Sequence, residues 1–214
     1  MRVIKFYLLL GVLILSSCRS DERRELSTHC FCTVTEHYAV STNQDDNITK
    51  EYTFKDSQLF DFGVARKDYA LSAALFLYSK LDTLSYQNLK LNFIKTGKSE
   101  KTYFYSIEEL AKNYDTYANI RGVANQFVRA IYDQRYHDCY EKLSPEIPED
   151  EVKTILAKVS AGLDENYLTT EIVSFKQSAD MIDIFGLNKT HEEKGELFKM
   201  SFKREGLEII AFEF

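Results

Sequence analysis

The strongest constraint on the fold is the alternation of apolar and polar residues in the last quarter of the chain. Phe198, Met200 and Phe202 are separated by single polar residues, a pattern typical of a strand with one buried face. Three other stretches show a similar pattern. Together they predict four consecutive strands, at about 167–177, 180–188, 196–204 and 207–214. Arg204-Glu205-Gly206 predicts a tight hairpin between the last two. The pattern therefore favours an α+β fold that ends in a four-stranded antiparallel meander.

The preceding stretch of the chain, residues 106–162, is predicted to be helical. Ser106-Ile107-Glu108-Glu109 forms a capping box, which marks a helix start. A further helix, or a kinked continuation past Gly122, should run to Leu143, where the following Pro145 stops it. A third helix is predicted over 149–162, with Val152, Ile155, Leu156 and Val159 on one face. Residues 106–214 are thus expected to form a C-terminal domain of helices and antiparallel sheet.

An earlier α+β unit is predicted over residues 33–105, with the order β-β-α-β-β. The turn-rich segment 43–47 separates two apolar-patterned stretches, and Asp56 or Ser57 can cap a long helix that reaches about Leu81. A hairpin turn at Gly97-Lys98-Ser99 joins the last two strands. The predicted strands lie at 33–40, 48–54, 86–96 and 101–105.

The order of elements over residues 118–214, with the break at Leu143-Ser144-Pro145, resembles that of nuclear transport factor 2-like domains. The resemblance implies a cone-shaped α+β fold whose curved sheet can enclose a pocket. That fold hosts enzymes, ligand binders and interaction modules, so the resemblance does not identify an activity.

Charge and motifs exclude several classes of function. The net charge is −6, which argues against a nucleic-acid partner recruited by a basic surface. Gly97-Lys98-Ser99 lacks the earlier glycine of a phosphate-binding loop, since that position is Asn92. His191-Glu192 lacks the second histidine of the metalloprotease motif, since residue 195 is Gly. We therefore expect no cofactor, assign no catalytic residue, and favour a non-enzymatic protein.

The N-terminus predicts export. Arg2 and Lys5 precede a ten-residue apolar segment, Phe6–Leu15, which is too short to span a bilayer and fits a secretory signal. Leu15-Ser16-Ser17-Cys18 resembles the lipobox of bacterial lipoproteins. The resemblance implies a signal peptide at 1–17, cleavage before Cys18, and acylation of Cys18 with diacylglycerol and a fatty acid such as palmitate. Residues 18–32 would then be a lipidated tether. Two or more acyl chains on Cys18 would anchor the protein stably to a membrane.

The residue after the lipid-bearing cysteine indicates a destination. Arg19 is not the Asp that marks inner-membrane retention in Gram-negative lipoproteins, so the resemblance implies the outer membrane, with the periplasmic or surface face left open. Cleavage removes two basic residues and no acid, so the body becomes more negative and is repelled by an anionic leaflet. We expect the anchored body to bind an envelope protein or a ligand.

Three cysteines remain when Cys18 carries lipid: Cys30, Cys32 and Cys139. An exported chain is exposed to oxidising conditions. We expect a disulfide from Cys30 or Cys32 to Cys139, or a thiol pair at the end of the tether. The alternative is metal handling through Cys30 and Cys32, although their spacing is poor for a structural zinc site.

One row of a predicted helix combines apolar residues with a charge. Arg135 follows Phe127 and Ile131 at intervals of four residues, and Cys139 continues the row. Such an arginine either extends its charge to water or meets an acid. If the sheet curls over this helix, Arg135 with Tyr132 and Tyr136 would line the mouth of a cone and hold an anionic ligand. An enzyme that uses this pocket with His137 is the competing hypothesis.

Overall fold

The computed structural model describes residues 23–40, 48–80, 86–96, 100–145, 148–163, 167–190 and 195–214, with the backbone alone for 38–40. It is an α+β protein with two four-stranded sheets. The chain divides into two units: unit 1 combines the chain up to Gly63 with Phe76–Ile107, and unit 2 combines Val64–Leu75 with Glu108–Phe214. The break at residue 107 lies beside the sequence-based boundary of 105/106, but the segment 64–75 groups with the later half.

Unit 1 begins with a helix, α1, over residues 23–30, within the segment that the sequence analysis assigns to a tether. Leu26, His29 and Cys30 of this helix are fully buried. The His29 ring stacks on Phe76 with centroids 5.1 Å apart. These contacts make α1 part of the folded body.

The sheet of unit 1 contains β1 (Thr33–Val40), β2 (Ile48–Lys55), β3 (Asn88–Ile94) and β4 (Lys101–Ser106) in that spatial order. β2 and β3 are parallel, and the outer pairs are antiparallel. Alternation places Tyr52, Phe54, Leu91 and Phe93 on the buried face, where the Phe54 and Phe93 rings stack 4.9 Å apart. All four predicted strands are confirmed.

The long helix predicted from Asp56 or Ser57 to Leu81 is wrong. A 3-10 helix over Gln58–Phe62 ends at Gly63, whose left-handed backbone (φ 84°) turns the chain and donates its N–H to the Leu59 carbonyl. A separate helix, α2, then runs over Arg66–Tyr78. The apolar content of the segment did not reveal this break, because it is made by one glycine.

Helix α3 covers Ile107–Tyr132 without a break at Gly122, and it begins directly after the predicted capping residue, Ser106. Its predicted continuation to Leu143 is wrong. Gln134 takes the left-handed conformation (φ 56°), and the Arg135 N–H bonds to the Ala130 carbonyl at 2.8 Å. These are the features of a Schellman cap with Gln in the place of the usual Gly.

Two shorter helices complete the helical part of unit 2, α4 (Tyr136–Tyr140) and α5 (Glu149–Gly162). The bounds of α5 agree with the prediction. Val152 and Leu156 are buried as expected, but Ile155 is 48% exposed, so the predicted four-residue apolar face is narrower than the sequence indicated.

The sheet of unit 2 is an antiparallel meander, as predicted, made of β5 (Tyr167–Gln177), β6 (Met181–Thr190), β7 (Gly195–Lys203) and β8 (Ile209–Glu213). Phe198, Met200 and Phe202 are buried, whereas Lys199 and Lys203 on the opposite face are exposed. The core therefore lies on the face that the alternation predicted.

Side chains and loops protect both edges of this sheet. At the β5 edge, the Asn125 side chain accepts the Thr170 N–H and donates to the Thr170 carbonyl, each at 3.1 Å. At the β8 edge, Leu143 forms a parallel bridge with Ile209. Covered edges are expected, because an open edge strand is a template for aggregation.

Candidate ligand-binding cavity

Unit 2 contains a cavity of about 640 Å³ at the end of α3. Side chains of α3, α4, α5 and the first residue of β5 line it. Its walls include Arg129, Tyr132, Tyr136, Ala157, Ala161 and Tyr167. The volume lies within the range of small-molecule sites in proteins, about 300–1,000 Å³.

Two stacked tyrosines form one wall of the cavity. The rings of Tyr132 and Tyr167 are 4.4 Å apart and nearly parallel. The Tyr132 hydroxyl donates to Glu196 Oε2 at 3.1 Å, and the Tyr167 hydroxyl lies 3.0 Å from Thr170 Oγ1. Burial raises the pKa of Tyr167, so this wall is neutral at physiological pH and is held in place at both hydroxyls.

Another part of the lining comes from α5 and its C-terminal cap. Ala157, Ala161 and Leu163 belong to α5 and its C-terminal cap and face the cavity. Ser160 of the same helix also lines the cavity, as do Asp133 and Gln134, so the lining combines aromatic and aliphatic surface with polar groups.

Arg129 contributes the charge. Within the part of the chain that the structure describes, its guanidinium makes no hydrogen bond or ion pair. It also lines a neighbouring cavity of about 280 Å³ with Gln126 and Arg135. An exposed arginine between two cavities can form charge-assisted hydrogen bonds with a carboxylate or phosphate.

The structure separates the three residues proposed from sequence. Tyr132 and Tyr136 line the larger cavity, whereas Arg135 does not. Because α3 ends at Tyr132, Arg135 is not in line with Ile131 and lies in the loop, 51% exposed. Its guanidinium contacts Asp138 and pairs with Asp133 at 3.2 Å, and the hydrogen bond that it donates to Asp133 is the main reason why its pKa is raised.

Sequence reasoning missed Arg129. The signal was present, since residues three apart share one face of a helix and Arg129 lies three residues before Tyr132. His137, the other candidate, is 72% exposed and lies 3.7 Å from Glu141.

The cysteine pairing differs from the expectation. Cys30 and Cys32 form a disulfide with each other, and Cys139 is a buried free thiol. The predicted bond from either of them to Cys139 is wrong. Burial raises the pKa of Cys139 to about 12, so its thiol is neutral and unreactive in the folded protein.

The disulfide also bears on metal binding. A metal needs cysteine as thiolate, and both sulfurs of the Cys30–Cys32 pair are bonded to each other. Among the described residues, no group of three or more His, Cys, Asp or Glu side chains is placed to hold a metal ion.

Cys18 and the signal segment lie outside the described residues. None of the described helices combines the length and hydrophobicity needed to cross a membrane. Comparison with protein-family models, with curated proteins and with solved structures finds no match for this chain.

Proposed function

We propose that this protein is an outer-membrane lipoprotein, anchored through Cys18, whose C-terminal unit binds a small organic anion. The ligand class is a compact aromatic or apolar body that carries a carboxylate or phosphate. The observation that carries the proposal is Arg129, whose guanidinium has no ion-pair partner among the described residues, at a cavity of about 640 Å³ that the stacked Tyr132 and Tyr167 line.

Each wall matches one part of such a ligand. The aromatic pair and the alanines of α5 offer apolar surface to the body, and Arg129 offers a fork of donors to the anionic group. Asp133 also lines the cavity, but its carboxylate is paired with Arg135, which Asp138 shares, so Arg135 reduces the repulsion between this acid and an anionic ligand.

The arrangement favours binding over catalysis. The Tyr132 and Tyr167 hydroxyls are hydrogen-bonded within the protein, and His137 is not among the cavity-lining residues. A general acid or base must reach the reacting group within hydrogen-bond distance. The described residues that line the cavity include no histidine or cysteine, and the Asp133 carboxylate among them is paired with Arg135.

The order of elements in unit 2 supports the nuclear transport factor 2-like arrangement, with helices before a four-stranded antiparallel meander. In that arrangement we place the cavity at the open end of the cone. This finer description of the fold is part of the proposal.

Ligand-observed NMR titration of the full chain with benzoate, and with benzyl alcohol as the neutral analogue, tests the binding site. We expect benzoate to bind more tightly. Arg129→Gln should weaken benzoate binding about 10- to 100-fold, the equivalent of one hydrogen bond to a charged group, and leave benzyl alcohol unchanged. Lys112→Gln is the matched control, because it removes one charge from the exposed surface of the same helix. Equal losses in both variants, or no benzoate binding, would refute the proposal.

Fractionation tests the anchor separately. Wild-type protein should sediment with membranes and incorporate labelled palmitate, whereas Cys18→Ala should do neither. A native pull-down from mild detergent, with the same variant as control, then identifies any envelope protein that accompanies the anchored form.

A further inference from the structure

The disulfide of unit 1 closes the C-terminus of α1 in an unusual way. Cys30 is the last helical residue, and Phe31 takes the left-handed conformation with φ 47°. The Cys32 N–H bonds to the Ser27 carbonyl at 3.2 Å, which completes a Schellman cap. The position that Gly usually occupies is thus held by Phe, between the two bonded cysteines.

This cap places strain inside the disulfide ring. The left-handed conformation is unfavourable for a residue with a Cβ atom. The two cysteines are separated by one residue, so closing the ring removes little chain entropy from the unfolded state. The bond therefore adds little to the stability of the fold, and folding in turn does little to keep the bond oxidised, in contrast to structural disulfides that close long loops.

The two cysteine residues differ in exposure. Cys30 is fully buried, and its carbonyl accepts a hydrogen bond from Ser57 Oγ at 2.7 Å, which holds it against the body. Cys32 lies at the end of the cap and is partly exposed. An incoming thiolate can therefore reach the sulfur of Cys32, with Cys30 as the leaving group.

We propose that Cys30–Cys32 is an exchangeable disulfide that oxidises peptide or protein dithiols through Cys32. One substrate thiolate forms a bond to Cys32 Sγ, the Cys30–Cys32 bond breaks, and its electron pair and one proton go to Cys30. The second substrate thiolate then attacks the substrate sulfur bound to Cys32, and Cys32 leaves and takes the second proton. Two electrons and two protons pass to the cysteine pair, and the substrate leaves with a disulfide.

Equilibration of the full chain in glutathione buffers tests this exchange, with differential alkylation and peptide mass spectrometry to read each cysteine separately. We expect Cys30 and Cys32 to become reduced together in the folded protein, with Cys139 unlabelled. A pair that stays oxidised until the protein unfolds would overturn the proposal.

Variants at Phe31 test the source of the reactivity. Phe31→Gly relieves the left-handed strain, so the reduction equilibrium with glutathione should shift toward the disulfide by about 5- to 30-fold. Phe31→Ala is the matched control, because it removes the same ring and keeps the Cβ atom. It should remain near the wild-type value. Equal behaviour of the two variants would refute the role of backbone strain.

A second pair of variants tests which sulfur is attacked. In Cys30→Ser, oxidised glutathione should add to Cys32 in the folded protein. In Cys32→Ser, Cys30 should react only after unfolding in guanidinium, which also shows that its thiol is present and intact. Glutathione on Cys30 of the folded protein would contradict the assigned direction of attack.

Discussion

Replacing Gly186 by alanine tests the packing of the second sheet. Gly186 of β6 lies directly opposite Phe198 of β7, and a Cβ atom built on Gly186 would be 2.6 Å from Cε2 of that ring and closer still to two other ring atoms. The ring covers the glycine, an arrangement that stabilises a residue with no side chain of its own.

The ring has little freedom to move aside. Phe198 is 2% exposed, and its ring stacks on Phe214 with centroids 5.3 Å apart. Overpacking of a filled core costs about 1–3 kcal/mol. A glycine-to-alanine change in a strand recovers about 0.5–1 kcal/mol of backbone entropy. We therefore expect Gly186→Ala to lower the free energy of unfolding by about 1–2 kcal/mol.

Urea denaturation followed by circular dichroism measures this change. Phe198→Leu alone should lower the free energy of unfolding by about 1 kcal/mol, because leucine is smaller than phenylalanine. In the double variant the two costs should not add, since the leucine makes space for the new methyl group, and the coupling energy should reach about 1 kcal/mol. Additive costs, or a stability equal to wild type in Gly186→Ala, would refute the packing argument.

Three further predictions use the same measurement. Gly122→Ala should stabilise the protein by about 0.5–1 kcal/mol, because nothing lies within 4 Å of a Cβ at this helical position; a loss of stability would contradict it. Asn125→Ala should cost about 2 kcal/mol by removing both bonds to Thr170, whereas Asn113→Ala, which loses one exposed bond to the Glu109 carbonyl, should change stability by less than about 0.5 kcal/mol. Stability should fall as pH rises above about 9, because the folded state holds the pKa of Cys139 at about 12 while the unfolded thiol ionises near 8.5. Flat stability between pH 8 and 10.5 would refute this last prediction.

The strands were predictable because their signal is local. Alternation in β7 and the glycine turn before β8 depend on neighbouring residues alone, and both sheets contain the strands expected from this pattern. The capping box before α3 is equally local. The ends of the helices were harder to predict. Gly63 and Gln134 end their helices by left-handed turns, which the pattern of apolar residues does not indicate.

The cavity could be predicted only in part. Tyr132 and Tyr136 were recognised because aromatic residues at a spacing of four stand out on a helix, and Arg135 was grouped with them on the assumption that the helix continues. Because α3 ends after Tyr132, Arg135 does not line the cavity and contacts Asp133 and Asp138 instead. Arg129, which belongs to α3, lines the cavity. The Cys30–Cys32 disulfide was not predicted for a related reason. A bond between cysteines that are separated by one residue requires a tight backbone turn, and no glycine in the sequence indicates one.

Both sites therefore depend on the same kind of backbone feature. Phe31 and Gln134 occupy the left-handed position of a helix C-cap without being glycine. Phe31 sits between the cysteines, and Gln134 lines the cavity beside Tyr136. Such conformations cost about 1–3 kcal/mol and persist where the surrounding contacts compensate for them. A sequence that favoured stability alone would place glycine at both caps. Asp56 and Leu207 also take the left-handed conformation, so it is the bonded cysteines around Phe31 and the cavity beside Gln134 that distinguish these two caps as the places where we propose that this protein exchanges its disulfide and binds its ligand.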